Sequence, residues 1–218
     1  MLKAIIFDLD GTLVNTDPIH YQIWEDILKN YGMDIDLPFY KENISGGTNE
    51  AILNKLLPQL SDSEVAELAY DKEARFRENA LDLQPLNGLL EFLKWIEENQ
   101  LKKGVVTNAP PENVEFMLKE ALKLADRFNP IILAGVMTAA KPDPASYKLC
   151  LSELGVGAKE AIVFEDSPSG IKAAVAAEIY TVGVASTHEP EALKALGAAE
   201  VIVDFSDGKL WEIIEEYD

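Results

Sequence analysis

Asp8 and Asp10 stand two residues apart in Phe7-Asp8-Leu9-Asp10-Gly11-Thr12-Leu13, directly after an apolar run. If that run is a buried strand, both carboxylates arrive at a strand's carboxyl end, where open α/β sheets bind their ligands. Gly11 permits the sharp backbone turn that must follow. Val106-Thr107-Asn108 ends a second apolar run. A hydroxyl and an amide there can hydrogen-bond phosphoryl oxygens without adding charge. Lys141-Pro142-Asp143-Pro144 places a lysine before a helical pattern, where it could neutralise a phosphate and an aspartate together. Ile162-Val163-Phe164-Glu165-Asp166 then delivers two consecutive carboxylates after a further apolar run. Hard oxygen ligands in such a place suit Mg²⁺, which binds through one or two carboxylates plus phosphate.

Each signal has a bland counterpart. The DxDGT string could be an ordinary strand-to-loop transition, Asn108 a turn residue, Lys141 a solvated surface lysine, and Glu165-Asp166 an acidic helix cap. Taken together the four signals are far stronger than any one. Four carboxylates meeting in one place cannot all stay ionised without raised pKa values. A divalent cation together with Lys141 resolves the conflict.

These residues need a scaffold that brings distant segments to one edge. Strand candidates are Lys3–Phe7, Gly104–Thr107, Ile131–Leu133, Ala161–Phe164, Thr181–Val184 and Val201–Val203. Helical patterns at Gly88–Asn99, Glu112–Leu124, Pro144–Leu154, Ser169–Ala177 and Glu191–Leu196 separate most of them. This alternation predicts an α/β fold, a parallel sheet flanked by helices on both faces. The continuously apolar strands fit burial on both sides. Between the first and second strands no strand pattern occurs. Asp17-Pro18 reads as an N-cap followed by proline at the first helical position, and Ser61-Asp62-Ser63-Glu64 as a capping box. The expected organisation is a core of residues 1–15 and 84–218 and an all-helical insertion over 16–83.

Composition limits the partners. The chain has 218 residues and a formal net charge of −19. Such a surface repels nucleic-acid phosphates and anionic membranes, so neither is an expected partner. A phosphate site on it must be locally positive. No stretch approaches the roughly 20 apolar residues of a membrane span, and the N-terminus reaches acidic residues too soon for a signal peptide. The expected location is cytoplasmic. The single cysteine, Cys150, excludes an internal disulfide and sits in a helical pattern as a core or boundary residue.

The order strand-end Asp pair, Thr-Asn, Lys-Pro and Glu-Asp resembles the haloacid dehalogenase superfamily along the whole chain. The helical insertion is similar to that family's helical cap, and the chain most resembles its sugar-phosphate phosphatases and beta-phosphoglucomutase. The resemblance implies a Rossmann-like core and a Mg²⁺-dependent phosphatase acting on a small phosphorylated metabolite; the expected state is a monomer. It makes Asp8 the nucleophile that forms an aspartyl-phosphate, and Asp10 the acid and base. Thr107 and the Asn108 backbone would hold phosphoryl oxygens, and Lys141 would balance charge. Asp8, the Asp10 backbone carbonyl and Asp166 would bind the metal, with Glu165 in direct or outer contact.

In the insertion, the resemblance brings His20 and Trp24, one helical turn apart, toward the substrate; cap packing is the alternative. The stretch Ser45-Gly46-Gly47-Thr48-Asn49 resembles a cap loop that enters the site, with Thr48 otherwise a helix N-cap. Lys72 matches a cap lysine of the mutase approximately, or is a solvated helix charge. His188 reads as a surface residue. The mutase subgroup carries an arginine where this chain has Asn49. Without that bidentate partner for a second phosphate, water is the expected acceptor, with mutase activity the alternative. Asp10 argues against the dehalogenase branch, which lacks the second aspartate. A catalytically idle binding protein is the non-enzymatic alternative.

Overall fold

The run Ala4-Ile5-Ile6-Phe7 forms strand β1 (Ala4–Phe7), buried at every residue. Its side chains alternate between the two faces of the sheet. Ile5 and Phe7 enter one apolar cluster, Ala4 and Ile6 another. On the first face Phe7 packs against Phe92, Phe164 and Phe205 with ring centroids 6.1, 5.7 and 5.8 Å away. The second face is lined by Val106, Tyr147, Cys150, Val163 and Ala174.

The computed structural model describes residues 1–217. Besides β1 the sheet contains β2 (Lys102–Thr107), β3 (Ile131–Leu133), β4 (Ala161–Glu165), β5 (Tyr180–Val184) and β6 (Glu200–Ile202), all paired in parallel in the order β3-β2-β1-β4-β5-β6. This is the Rossmann-like α/β fold the sequence predicts. The chain builds outward from β1 to β3, then crosses to the other side of β1 for β4. The reversal opens a crevice at the carboxyl ends of β1, β2 and β4. In register, Phe7 lies opposite Val105 on one side and Phe164 on the other, so Asp8 emerges between the two neighbouring strand ends.

Of the five helices between β1 and β2, the first four are α1 (Asp17–Lys29), α2 (Leu37–Asn43), α3 (Asn49–Leu56) and α4 (Asp62–Asn79). The α1 face seen in the sequence buries Ile23, Trp24, Ile27 and Leu28. Its cap differs from expectation. Thr16, not Asp17, precedes the helix and makes no side-chain cap bond, because its hydroxyl is committed to Asp10 at 2.7 Å. The capping box of α4 forms as read: Ser61 N–H donates to Glu64 Oε2 at 2.8 Å and Ser61 Oγ accepts from the Glu64 N–H. Asp36 and Thr48 cap α2 and α3 by accepting from Phe39 and Ala51 N–H.

The helices α5 (Leu89–Glu98), α6 (Pro111–Glu115), α7 (Ala145–Leu154), α8 (Pro168–Ala176), α9 (Pro190–Ala195) and α10 (Lys209–Tyr217) follow. The pattern at Glu112–Leu124 is not one regular helix. After α6 the backbone widens into π-helical turns over Phe116–Ala121, and Lys123, at φ 56°, ends them in a left-handed conformation. Helix α7 starts one residue later than predicted. Asp143 accepts from the Ala145 N–H at 2.8 Å, forming a turn before the helix rather than its N-cap. No helix among the described residues is long and apolar enough to cross a membrane.

Cys150 is fully buried beneath the sheet, with Gly104 directly below its sulfur. Burial pushes its thiol up to about 12. A thiol kept protonated and covered is inert. At pH 8 the native protein should not react with a thiol-specific dye. Labelling should appear along the urea unfolding curve, and rapid labelling without denaturant would show that α7 does not pack as described.

Candidate active site

The crevice over β1 is floored by charges that have little access to water. Asp8, Lys141, Glu165 and Asp166 are all buried. Lys141 Nζ donates to Asp8 Oδ1 at 2.6 Å, Glu165 Oε1 at 2.6 Å and the Val106 carbonyl at 2.7 Å. Three donors meet three acceptors, which completes the ammonium's hydrogen-bonding capacity. The reading of Lys141 as a solvated lysine is thereby excluded. Asn108 holds the lysine loop against β2: its Oδ1 accepts from the Lys141 N–H at 3.0 Å. Thr107 is buried beside it, its hydroxyl accepting from the Ala109 N–H at 2.9 Å.

Glu165 has no free oxygen. Besides Lys141, its Oε1 takes the Tyr147 hydroxyl at 2.8 Å, and Oε2 takes the Ser167 N–H and Oγ at 3.2 and 3.1 Å. Gly170 sits so close that any Cβ there would overlap the Glu165 carboxylate. Asp166 accepts from Thr12 Oγ1 at 3.0 Å and Thr187 Oγ1 at 2.5 Å. Gly11, at φ 81°, lets the loop pass the Asp166 carboxylate where a Cβ would collide with it.

Carboxylate oxygens of Asp8, Glu165 and Asp166 lie within 4.8 Å of one another. Three buried carboxylates against one ammonium leave an excess of negative charge. Burial raises the Asp8 carboxyl to about 8; Lys141 opposes the shift, while Glu165 and Asp10 add to it. Burial, then the charges of Asp8 and Glu165, push Asp166 well above the usual carboxylate range. For Lys141 burial favours the neutral form, but the Asp8 and Glu165 charges outweigh it and hold the ammonium charged. A cluster of hard oxygens with raised pKa values and excess negative charge fits a divalent cation. Glu165 belongs to this cluster, and its oxygens also accept from Lys141, Tyr147 and Ser167.

Asp10 points the other way, toward the α1–α4 helices. Its Oδ1 accepts from Thr16 Oγ1 and lies 3.5 Å from His20 Nε2. Burial works to raise its pKa, but the His20 and Thr16 hydrogen bonds and nearby positive charge lower it overall. His20 Nδ1 is 2.9 Å from Lys72 Nζ, and its ring stacks on Phe76. Lys72 is buried, not solvated: it pairs with Glu73 at 2.7 Å and lies 5.8 Å from the Trp24 ring centroid.

A cavity of about 700 Å³ connects the two groups. Asp8, Asp10, His20, Trp24, Gly46, Thr48, Asn49, Thr107, Asn108, Lys141 and Asp166 all face it. Glu165 alone among the sequence-derived candidates lies beneath it. Gly46, at φ 73°, brings its loop onto the core, where its carbonyl accepts from Ser169 Oγ at 2.7 Å. Asn49 donates to Glu73 at 2.5 Å. His188 is not a free surface residue. It is half-buried, contacting Thr187 Oγ1 at 2.9 Å and the Lys41 carbonyl at 3.4 Å.

Several residues in this network carry no signal in sequence spacing. Thr187, Tyr147, Glu73, Arg77 and Asn113 become neighbours of the site only through the fold. Thr12 and Ser167 sit inside the strings that hold Asp10 and Asp166, and the DGT and DSP contexts were their available signal.

Comparison with known proteins gives this geometry a family. A family described as haloacid dehalogenase-like hydrolase matches residues 5–184. The chain is 34% identical to validoxylamine A 7'-phosphate phosphatase of Streptomyces hygroscopicus subsp. limoneus, over 88% of this chain and 90% of that protein. It is 30% identical to a fructose-1-phosphate phosphatase of Escherichia coli, over 83% and 95% of the two chains. The crystal structure of beta-phosphoglucomutase from Clostridium difficile superposes with a TM-score of 0.85 at 26% identity, over 100% of this chain and 97% of that one. The chain therefore belongs to the haloacid dehalogenase-like hydrolases, as one of their phosphoric monoester hydrolases.

Proposed function

We propose that this enzyme hydrolyses small sugar or polyol phosphates through an aspartyl-phosphate on Asp8, with Mg²⁺ as its cation. The observation that carries the reading is the Asp8–Lys141–Glu165 triad beside a cavity of about 700 Å³. Lys141 fixes one oxygen of Asp8 and leaves the other for in-line attack on phosphorus. The P–O bond to the substrate alcohol breaks as the Asp8–phosphorus bond forms. Asp10 protonates the departing alkoxide and afterwards takes a proton from the attacking water. Its resting pKa is low, so the approach of a phosphate dianion supplies the rise that lets it carry a proton. Asp8, the Asp10 carbonyl and Asp166 would hold Mg²⁺, which neutralises phosphoryl charge. Thr107 and the Asn108 backbone would bind phosphoryl oxygens.

Residues 16–83 act in this reading as a cap over a core of 1–15 and 84–218. The cap closes over Asp8 through the Gly46–Ser169 bond and sets selectivity through His20, Trp24, Thr48 and Asn49. Water is the favoured acceptor because the loop 45–49 presents no guanidinium and Asn49 is turned to Glu73.

Two measurements test the reading. Asp8→Asn should reduce Mg²⁺-dependent hydrolysis of para-nitrophenyl phosphate by at least about 10³-fold, the order seen when a nucleophile is removed. Retained turnover would exclude Asp8 as nucleophile. Conversion of glucose 1-phosphate to glucose 6-phosphate with a bisphosphate primer would instead establish the mutase.

The second concerns pH. Raised native pKa values mean the folded state keeps protons that the unfolded chain releases. Stability without metal should therefore fall as pH rises from about 4 to about 8. Mg²⁺ should raise the melting temperature more at pH 8 than at pH 5. An equal shift at both pH values, or none, would exclude coupling between the cation and these carboxylates.

A further inference from the structure

Arg77 is the one positive group facing the cavity that has no carboxylate partner among the described residues. Lys141 is consumed by Asp8 and Glu165, and Lys72 by Glu73. Arg77, half-buried on α4, makes a single hydrogen bond, from Nη1 to Asn113 Oδ1 at 2.6 Å. Glu73, one turn earlier on the same helix, is not available to it. Its oxygens are taken by Lys72, by Asn49 and by the amide nitrogen of Asn113. Asn113 is itself buried on α6, so the amide bridges the two parts of the molecule and fixes the guanidinium from the core side.

A guanidinium carries five N–H donors in a planar fork matched to an oxyanion. One is used here, and Arg77 lines the same cavity as Asp8. We propose that Arg77 is a specificity determinant: it binds a second oxyanion, a carboxylate or a further phosphate, at the end of the substrate remote from the transferred phosphoryl group. The proposal deepens the phosphatase reading and rests on it for the position of that first phosphate. The cation comes from a cap helix rather than from the loop position of Asn49. Asn113 is its positioning residue, presenting the fork only when core and cap are in contact.

The test uses matched substrates that differ in one terminal group. Glycerol 3-phosphate and 3-phosphoglycerate exchange a hydroxymethyl for a carboxylate. Fructose 1-phosphate and fructose 1,6-bisphosphate add a second phosphate. The ratio of kcat/KM, acid over alcohol or bisphosphate over monophosphate, is measured with Mg²⁺ for wild type, Arg77→Gln and Arg77→Lys.

In at least one pair the ratio should fall about 10-fold or more in Arg77→Gln, the scale of a lost charge-assisted hydrogen bond. The loss should lie in KM, with partial retention in Arg77→Lys. The pair that responds identifies the oxyanion. A uniform loss for all four substrates would make Arg77 structural, and unchanged ratios in both pairs would overturn the assignment. Calorimetric binding of the same compounds to Asp8→Asn, with and without Arg77→Gln, separates the two readings. Binding selectivity that disappears with Arg77 in a protein without turnover would keep the anion site and reject the phosphatase. Hydrolysis with no Arg77-dependent selectivity would do the reverse.

Discussion

Everything at the carboxyl edge of the sheet depends on one buried ammonium. Lys141 reaches from the loop before α7 to join Asp8 on β1's end with Glu165 on β4's end, both at 2.6 Å. Removing one partner of such a buried arrangement leaves uncompensated charge, a loss of about 3–5 kcal/mol in other proteins. The lysine therefore binds strands that are neighbours in the sheet but 157 residues apart in the chain (165 − 8). It also leaves the edge short of positive charge, since Asp166 has only hydroxyl partners and β-strand neighbours nearby. A site built this way fits a divalent cation.

Helices α1–α4 face this edge and carry a polar network of their own. His20, Lys72, Glu73 and Asn49 are joined by contacts of 2.5 to 2.9 Å. Two links connect that network to the core. Asp10 meets Thr16 and His20 on one side, and Asn113 meets Glu73 and Arg77 on the other. The carboxyl edge of the sheet and the helices over it thus share hydrogen bonds, and a change in one alters the placement of the other.

Much of this was legible in the residues themselves. Continuous apolar runs announced doubly covered parallel strands, and the capping box at Ser61 announced α4. The strand-end positions of Asp8, Thr107 and Asp166 follow from the same pattern. What escaped was set by tertiary contact. Thr16 left its helix-capping role because Asp10 competes for its hydroxyl. For Glu165 the residues leave direct and outer metal contact both open, and only the fold shows Lys141, Tyr147 and Ser167 enclosing it. Arg77 and Asn113 lie 36 positions apart on helices with no shared motif, so no spacing rule could pair them.

The glycines at 11 and 170 have a consequence for how such an enzyme diversifies. Each stands where any side chain would enter the space of an acidic residue, Asp166 or Glu165. The floor of the cavity is closed to single substitutions, so neither partner can drift without the other. Tyr70, Glu50 and Ala66 border the same cavity from exposed positions on α3 and α4. Libraries built to redirect substrate preference should vary that rim and leave the floor alone, because evolvability here is distributed by steric room.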